Sequence, residues 1–190
     1  MNYKNIFRMP TPMKITGRSS SITNAFINSI IPIIYPSDEE LLEALSILEI
    51  EPTNLVCSYC GSISTEWDHL RPLVMNKKPT GYISELCNLV PSCGKCNQSK
   101  GNKNWKVWML SSAKLSPKTK GIKNLEERIR KLEAYENWKK PVLIDFGKII
   151  GKETWQTHWH NCEKVQILMK ESQILAESIN KKIKENYKAL

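Results

Sequence analysis

The chain has 190 residues and a formal net charge of +9, and its 41% hydrophobic and 25% charged residues are typical of a globular protein. No apolar run approaches the roughly 18 residues of a transmembrane helix, which argues against a membrane-spanning protein. The first residues lack the apolar stretch and cleavage site of a secretory signal, so we expect a cytoplasmic location of bacterial type. In a reducing compartment, six cysteines favour metal binding or chemistry over disulfides.

The N-terminal segment, residues 1–52, is predicted to hold two helices. A short helix is predicted over 22–30, because apolar residues recur there at helical spacing and Pro32 follows. Ser37 and Glu40 form a capping-box pattern, which predicts a second helix over 38–49. Four leucines at helical spacing are expected on its core-facing side: Leu41, Leu42, Leu45 and Leu48.

The middle segment, residues 53–115, is rich in turn-forming residues and in cysteine. Two short strands are predicted, over 66–70 and over 73–75. A helix is predicted to begin just after the last cysteine of this segment and to continue to Trp108. Trp105 and Trp108 lie three residues apart on the predicted helix, and we interpret both as core residues.

The C-terminal segment, residues 116–190, is predicted to be mainly helical. Asn124 is expected to cap a helix that ends before Pro141, and a short strand is expected over 142–144. A long helix is predicted from Lys152 to the end of the chain. We expect its apolar positions to pack against the core in preference to forming a dimer contact, because polar residues interrupt the heptad pattern.

Positive charge is concentrated in one part of the chain. Residues 69–125 contain eleven Lys and Arg residues and one acid, Glu85, so this part carries +10 while the remainder sums to −1. A solvated surface normally mixes charges of both signs. The concentration of positive charge therefore favours a polyanionic partner, most simply nucleic acid.

Four of the six cysteines form two CxxC pairs. Cys57 and Cys60 make up the first pair, and Cys93 and Cys96 follow after 32 residues. Two such turns supply four thiolates to a tetrahedral zinc ion and leave no open position, so the predicted zinc is structural. A redox CxxC and unrelated buried cysteines are the alternatives. The remaining two cysteines lack this spacing and are interpreted as core residues, Cys87 and Cys162.

An Asp–His pair lies between the two cysteine motifs. Asp68 offers a hard oxygen ligand for a divalent cation, and His69 can accept a proton from water near neutral pH. Neighbouring side chains on a strand point to opposite faces, so both residues serve one site only if the strand ends or bends there. Pro72 favours such a bend. A histidine with a purely structural role is the alternative.

Together, these elements resemble the HNH family of ββα-metal nucleases. The resemblance covers 55–103 and rests, in chain order, on the first CxxC pair, Asp68–His69, Asn88, the second CxxC pair with Asn97, and Lys100–Gly101. It implies that His69 is the general base, that Asp68 ligates the catalytic cation, and that Asn88 holds the loop. It also implies that Asn97, where the family often has its final histidine, is a cation ligand. An amide oxygen is harder than imidazole, which favours Mg²⁺ or Mn²⁺.

The fold that the resemblance implies is α+β, with a zinc-bound ββα-metal core flanked by N-terminal and C-terminal helices. The implied function is metal-dependent DNA cleavage, and the chain as a whole resembles small type II restriction endonucleases that cut at a short specific site. With one catalytic site per chain, cutting both strands implies a homodimer. The alternatives are a homing or repair type of nicking nuclease and a non-catalytic zinc module that binds nucleic acid.

Contacts to DNA phosphates are predicted for basic residues near the motif. The candidates are Arg71, Lys95, Lys100, Lys103 and Lys106. Two further histidines, His158 and His160, lie on the predicted long helix. Because they are two residues apart and therefore point about 200° apart, we do not expect them to share a metal ion.

Overall fold

The computed structural model describes residues 9–187 of the chain, which form a mixed α+β structure. Contacts divide the chain into two compact units. The central unit is Ile27–Ile149, and the terminal unit combines the described parts of Met1–Phe26 and Ile150–Leu190. The segment boundaries predicted near residues 52 and 115 both fall inside the central unit.

The first two helices lie close to their predicted positions. α1 spans Ser19–Asn28 and α2 spans Asp38–Ile47. The capping box is confirmed, because the Ser37 hydroxyl accepts from the amide of Glu40 and the Glu40 carboxylate accepts from the amide of Ser37, each at 3.2 Å. The leucines predicted to face the core do so only in part: Leu45 and Leu48 are buried, Leu41 is half-buried and Leu42 is exposed.

Four short strands form two antiparallel pairs: β1 (Glu66–His69) with β4 (Leu89–Ser92), and β2 (Val74–Met75) with β3 (Lys78–Pro79). Asn76 and Lys77 connect β2 to β3 with φ values of 52° and 61°, the left-handed conformation of a two-residue hairpin turn. The chain between β1 and β4 is therefore a loop that carries its own small hairpin.

Two helices follow β4. α3 spans Gly94–Lys100 and α4 spans Trp105–Met109, so the single helix predicted across this stretch is wrong. Gly101 ends α3 with a φ of 50° and a ψ of −129°, a conformation that glycine adopts far more readily than other residues. A new helix then starts at Asn104, whose side chain accepts from a first-turn amide at 3.0 Å.

Aromatic side chains form much of the core of the central unit. Trp105 and Trp108 are buried in it, as predicted, together with Tyr59 and Tyr135. The rings of Tyr59 and Trp108 meet edge to face, with centroids 5.2 Å apart. Tyr135 lies on α5 (Leu125–Trp138), so this helix shares one core with the chain around the cysteine motifs.

Two elements after the core differ from the predicted ones. Asn124 precedes α5 in the left-handed conformation, with a φ of 58°, and its side chain caps no amide of the described helix, because capping requires an extended backbone. Within the described range, 142–144 forms no strand, although the Ile144 amide donates to the Gly81 carbonyl at 2.8 Å. A short helix that the pattern did not predict, α6 (Phe146–Ile150), comes next.

In the terminal unit, α7 spans Lys152–Tyr187, which confirms the predicted long helix. A short 3-10 helix, Ile15–Arg18, packs against it. The Gln173 side chain accepts from the first amide of that short helix at 2.7 Å, and the Gln166 side chain donates to the Ser19 carbonyl at 2.9 Å. One side of α7 is therefore covered by the N-terminal part of the same unit.

The remaining histidines and cysteines have structural surroundings. His158 Nε2 lies 3.0 Å from the Phe26 carbonyl oxygen, and the two rings pack edge to face, whereas His160 is exposed. Cys87 and Cys162 are buried, which confirms their interpretation as core residues.

No helix in the described part of the chain combines the length and apolar character needed to cross a membrane.

Candidate functional site

Four thiols meet in the central unit. Cys57 and Cys60 lie on one turn, Cys93 directly precedes α3, and Cys96 lies in its first turn. Their Sγ atoms all lie within 4.8 Å of one another, and those of Cys60 and Cys93 are 3.7 Å apart. A disulfide would need about 2.05 Å, whereas zinc–sulfur bonds of about 2.3 Å place tetrahedral ligands roughly 3.8 Å apart. The arrangement fits the structural zinc ion that the CxxC pairs predict.

The chemistry around these thiols also fits a bound cation. Cys60 Sγ donates to the Ser62 hydroxyl at 3.3 Å, and Cys57 Sγ donates to the Ser92 hydroxyl at 4.0 Å. The contact between the first two thiols raises the pKa of Cys57 to about 11 and lowers the pKa of Cys60. Because one thiolate opposes the ionisation of its neighbour, four thiolates in this space require a compensating positive charge.

Gly61 lies in the turn of the first cysteine pair, beside the flexible end of the Arg128 side chain. Its φ is 76°, and an added Cβ would displace the guanidinium of Arg128, which donates to the Cys57 carbonyl at 3.4 Å. Gly61→Ala should therefore lower the free energy of unfolding by roughly 2 kcal/mol, about half from backbone strain and about half from the displaced hydrogen bond.

Denaturant unfolding measures this effect, and Gly121→Ala is the matched control. Gly121 has a similar φ of 61°, but a Cβ there would meet nothing within 4 Å. The control should show the backbone strain alone, about 1 kcal/mol. Equal losses in the two variants would contradict a contribution from the Arg128 contact.

Asp68 lies on β1 with its carboxylate in the protein interior. The Tyr59 hydroxyl donates to Oδ2 at 2.6 Å, and the Lys100 ammonium lies 3.1 Å from the same oxygen. Lys100 also donates to the His69 carbonyl at 2.8 Å. Burial raises the pKa of Asp68, and the charge of Lys100 opposes that rise; burial likewise lowers the pKa of Lys100. The carboxylate and the ammonium therefore form a buried ion pair that Tyr59 completes.

His69 is the last residue of β1, and its ring contacts the loop between the strands. Its Nε2 lies 2.8 Å from the Ser84 hydroxyl. Burial, together with the nearby charge of Lys100, lowers the pKa of His69 to about 4. The imidazole is therefore neutral near neutral pH, which is the form that accepts a proton.

Asn88 is fully buried and connects the two ends of this loop. Its Oδ1 accepts from the amide of Arg71 at 2.8 Å. Its Nδ2 donates to the Arg71 carbonyl at 3.1 Å and to the Ile83 carbonyl at 3.4 Å. These bonds hold the chain that follows His69 against the chain that enters β4, the kind of contact expected of a residue that holds the loop.

We expect Asn88→Ala to lower the free energy of unfolding by roughly 3 kcal/mol, because the loss of three hydrogen bonds leaves buried backbone groups unpaired. Thermal and denaturant unfolding measure the change. Asn102→Ala is the control: this asparagine is exposed, so its replacement should stay within about 0.5 kcal/mol of the parent protein. Similar stability of both variants would show that the loop does not depend on the buried amide.

Asn97 faces β1 from the first turns of α3. Its Nδ2 donates to Glu66 Oε2 at 2.7 Å, which turns its carbonyl oxygen away from that carboxylate. Glu66 also lies over the start of the helix, since a Cβ on Gly94 would be 2.6 Å from Oε1. The sequence motif does not include Glu66. Glu66 could have been found from its position two residues before Asp68, because residues two apart on a strand share a face.

The predicted catalytic residues lie on or near β1 and α3, but not all of them are in contact with one another. Residues of α3 contact the face of β1 that carries Glu66 and Asp68: Asn97 contacts the first carboxylate and Lys100 the second. His69 contacts Ser84 instead, as the alternation of side chains along a strand requires. Tyr59 contacts Asp68, and Ser84 contacts His69. Neither residue belongs to the sequence motif, so only the structure identifies them.

The predicted phosphate contacts differ in their surroundings. Lys100 is fully buried in its ion pair, and the Arg71 guanidinium lies 3.4 Å from the Glu136 carboxylate with 16% of its side chain exposed. These positions do not fit the predicted role, because both cations are held by the protein. Lys106 pairs with Glu133 at the surface. The other two candidates are exposed, Lys95 and Lys103.

Part of the chain is similar to a known endonuclease. A stretch of 68 residues, 34% of this chain, is 35% identical to a CRISPR-associated endonuclease Cas9 from Corynebacterium diphtheriae. The matching stretch spans 6% of the length of that protein. No protein-family model and no solved structure matches the chain. The similarity is therefore distant and confined to about a third of the chain.

Proposed function

We propose that the chain is a metal-dependent DNA endonuclease of the HNH type. The observation that carries the proposal is the arrangement of β1, β4 and α3. The thiol cluster holds the start of α3 beside β1, the strand that bears Asp68 and His69. The helix presents Asn97 toward the same strand. The partial similarity to an endonuclease supports the proposal.

In the proposed reaction, His69 is the general base. A neutral imidazole accepts a proton from the attacking water, and burial keeps this ring neutral. His69 Nε2 lies 2.8 Å from the Ser84 hydroxyl, and in the tautomer in which Nε2 donates to this hydroxyl, Nδ1 is the atom that receives the proton. Ser84 acts as a positioning residue, because its contact sets the orientation of the ring. Asn88 keeps the loop that bears Ser84 attached to the end of β1.

Asp68 and the carbonyl oxygen of Asn97 are the proposed ligands of a divalent cation, with the Glu66 carboxylate beside them. This donor set consists of hard oxygen atoms, which fits Mg²⁺ or Mn²⁺. When bound, such a cation stabilises the charge that develops on the phosphoryl and leaving oxygens. If Asp68 held a cation, Lys100 would keep its hydrogen bonds to the His69 and Gly101 carbonyls, which lie 2.8 Å and 3.2 Å from its ammonium.

Double-stranded DNA is the proposed substrate. Residues 69–125, which include much of the site, carry a charge of +10, and Lys95 and Lys103 remain exposed on and beside α3 for phosphate contacts. The finer proposal is a type II restriction endonuclease that cuts both strands at a short site. One catalytic site per chain then requires two copies related by a two-fold axis.

The test is cleavage of supercoiled plasmid by the zinc-loaded protein in metal-free buffer, with Mg²⁺ or Mn²⁺ added or omitted. Mg²⁺ and Mn²⁺ are left out of the control reaction and no chelator is used, because a chelator would also remove the structural zinc. The proposal expects metal-dependent conversion to nicked or linear plasmid. On long linear DNA, discrete fragments would establish site specificity, a smear would indicate a non-specific nuclease, and nicking alone would favour the homing or repair type.

A non-catalytic zinc module that binds nucleic acid is the second candidate. The observation that favours it is the buried ion pair between Lys100 and Asp68, which satisfies the carboxylate without a cation. Such a module would shift DNA in a binding assay but would leave plasmid intact with every metal. The plasmid assay therefore separates the two functions in one experiment.

A further inference from the structure

The C-terminal half of α7 exposes a row of large apolar side chains. Seven of them have between 49% and 76% of their surface exposed: Ile167, Leu168, Ile174, Leu175, Ile179, Ile183 and Tyr187. Scattered apolar residues are normal on a protein surface, but a contiguous apolar patch of several hundred Å² marks an interaction site. The expectation that these positions pack against the core is therefore not met in the described structure.

Four of these side chains, Leu168, Leu175, Ile179 and Ile183, form a stripe on one side of the helix, and the other three lie outside it. At about 100° per residue, Leu168, Leu175 and Ile179 fall within about 40° of one another around the axis, and Ile183 lies about 40° further round. Gln166 and Gln173, which bind the N-terminal part of the terminal unit, lie about 160–180° from Leu175. The stripe is thus opposite the face that the unit itself covers.

We propose that this stripe binds the same stripe of a second copy, with the two α7 helices antiparallel and centred near Leu175. The inference does not depend on nuclease activity. Together with the proposed function, it supplies the second copy that cleavage of both DNA strands requires.

Charge along one edge of the stripe favours the antiparallel orientation. Four charged residues lie within about 80° of Leu175 on the same side: Lys164, Glu171, Lys182 and Glu185. An antiparallel pair centred near Leu175 places Lys164 beside Glu185 of the other copy, and Glu171 beside Lys182 of the other copy. In a parallel pair in register, each charged residue would lie level with the same residue of the other copy. Opposite charges along the edges of paired helices select the partner orientation.

The stripe is large enough for the apolar centre of a dimer contact. Complete burial of a Leu or Ile side chain removes on the order of 100 Å² of apolar surface from water. Four side chains that are already partly covered would contribute roughly 250 Å² per copy, about a third of the ~800 Å² that each partner buries in a standard interface. The polar and charged residues that flank the stripe would form the rim of the contact.

The experiment is sedimentation velocity of the full zinc-loaded chain, without DNA, over a range of micromolar concentrations. We expect a concentration-dependent dimer. Leu175→Asp should weaken it by roughly 100-fold or more, because it places two unpaired charges in the apolar contact. Leu42→Asp is the matched control, since Leu42 on α2 is similarly exposed but lies outside the stripe, and it should leave the dimer unchanged.

Circular dichroism and zinc content verify that each variant is folded. A parent chain that stays monomeric at all concentrations would overturn the proposal, and so would equal dissociation of the Leu175→Asp and Leu42→Asp variants. Co-sedimentation of a monomeric parent chain with anionic vesicles, lost on Leu175→Asp, would assign the stripe to a lipid surface instead.

Charge exchange tests the orientation separately. Glu171→Lys should weaken the dimer, and the addition of Lys182→Glu should restore it, because the two residues face each other only in the antiparallel pair. Failure of the double variant to recover would overturn that orientation.

Plasmid cleavage provides an independent readout that separates this proposal from the proposed function. A monomeric Leu175→Asp variant that nicks plasmid but no longer linearises it would support the nuclease function. A parent chain that forms the dimer but does not cleave plasmid would refute only the nuclease function.

Discussion

Replacement of His69 by Ala should reduce the rate of plasmid cleavage by about 10²- to 10⁴-fold, the usual contribution of a general base. The neutral imidazole at the end of β1 is the group to which the proposed reaction assigns proton transfer, and Ser84 holds it in place. Alanine removes the proton acceptor, while Asp68 and Asn97 remain to hold the cation. The measurement is the single-turnover rate of conversion of supercoiled plasmid in Mg²⁺.

His160→Ala is the control for this variant. His160 is exposed on α7 in the terminal unit and takes no part in the proposed reaction, so the rate should not change. Thermal unfolding and zinc content establish that His69→Ala is folded. A folded His69→Ala variant that cuts at the parent rate would remove His69 from the catalytic role, even if the chain proved to be a nuclease.

Replacement of Cys93 by Ser should remove zinc and unfold much of the central unit. Cys93 joins β4 to α3, and its Sγ lies 3.7 Å from Cys60 Sγ, so a zinc ion bound there would connect two turns that are far apart in the chain. Structural zinc contributes roughly 10 kcal/mol or more of apparent binding free energy, which is comparable with the whole stability of a domain. We expect the bound zinc to fall well below one per chain and the melting temperature to drop by more than about 10 °C.

Metal analysis and thermal unfolding, followed by circular dichroism, measure this effect. Cys162→Ser is the matched control, because Cys162 is more buried than Cys93 but lies on α7, outside the thiol cluster. It should keep one zinc per chain and lose only roughly 1–3 kcal/mol from a buried polar substitution. A Cys93→Ser variant with full zinc content and parent stability would contradict a four-thiolate site.

Local patterns in the sequence predicted the elements that short-range chemistry controls. The capping box at Ser37 starts α2 because both of its hydrogen bonds form within four residues. The CxxC spacing predicted the thiol cluster because each pair already converges on one turn. The break at Gly101 and the left-handed Asn124 were missed because both depend on backbone conformations that residue type alone does not specify.

Contacts between distant parts of the chain decided the surroundings of the candidate site. Lys100 is predicted from its position beside the motif to reach solvent and DNA, but it lies in the interior because Asp68, 32 residues earlier, offers a buried carboxylate at 3.1 Å. Likewise, Arg71 is held by Glu136 of α5. Such pairings depend on how helices and strands pack, which no local pattern encodes.

The sequence by itself determined the chemical inventory of this protein: four clustered thiols, one Asp–His pair, two asparagines in a fixed order and a strongly basic segment. Spacing along a chain specifies such features because covalent geometry limits where near neighbours point. Only the tertiary structure decided which groups meet, namely Tyr59 and Lys100 with Asp68, Ser84 with His69, and Glu66 with Asn97. Among residues 9–187 it also left one face of α7 exposed, because burial depends on the packing of whole elements and not on the pattern of any single helix.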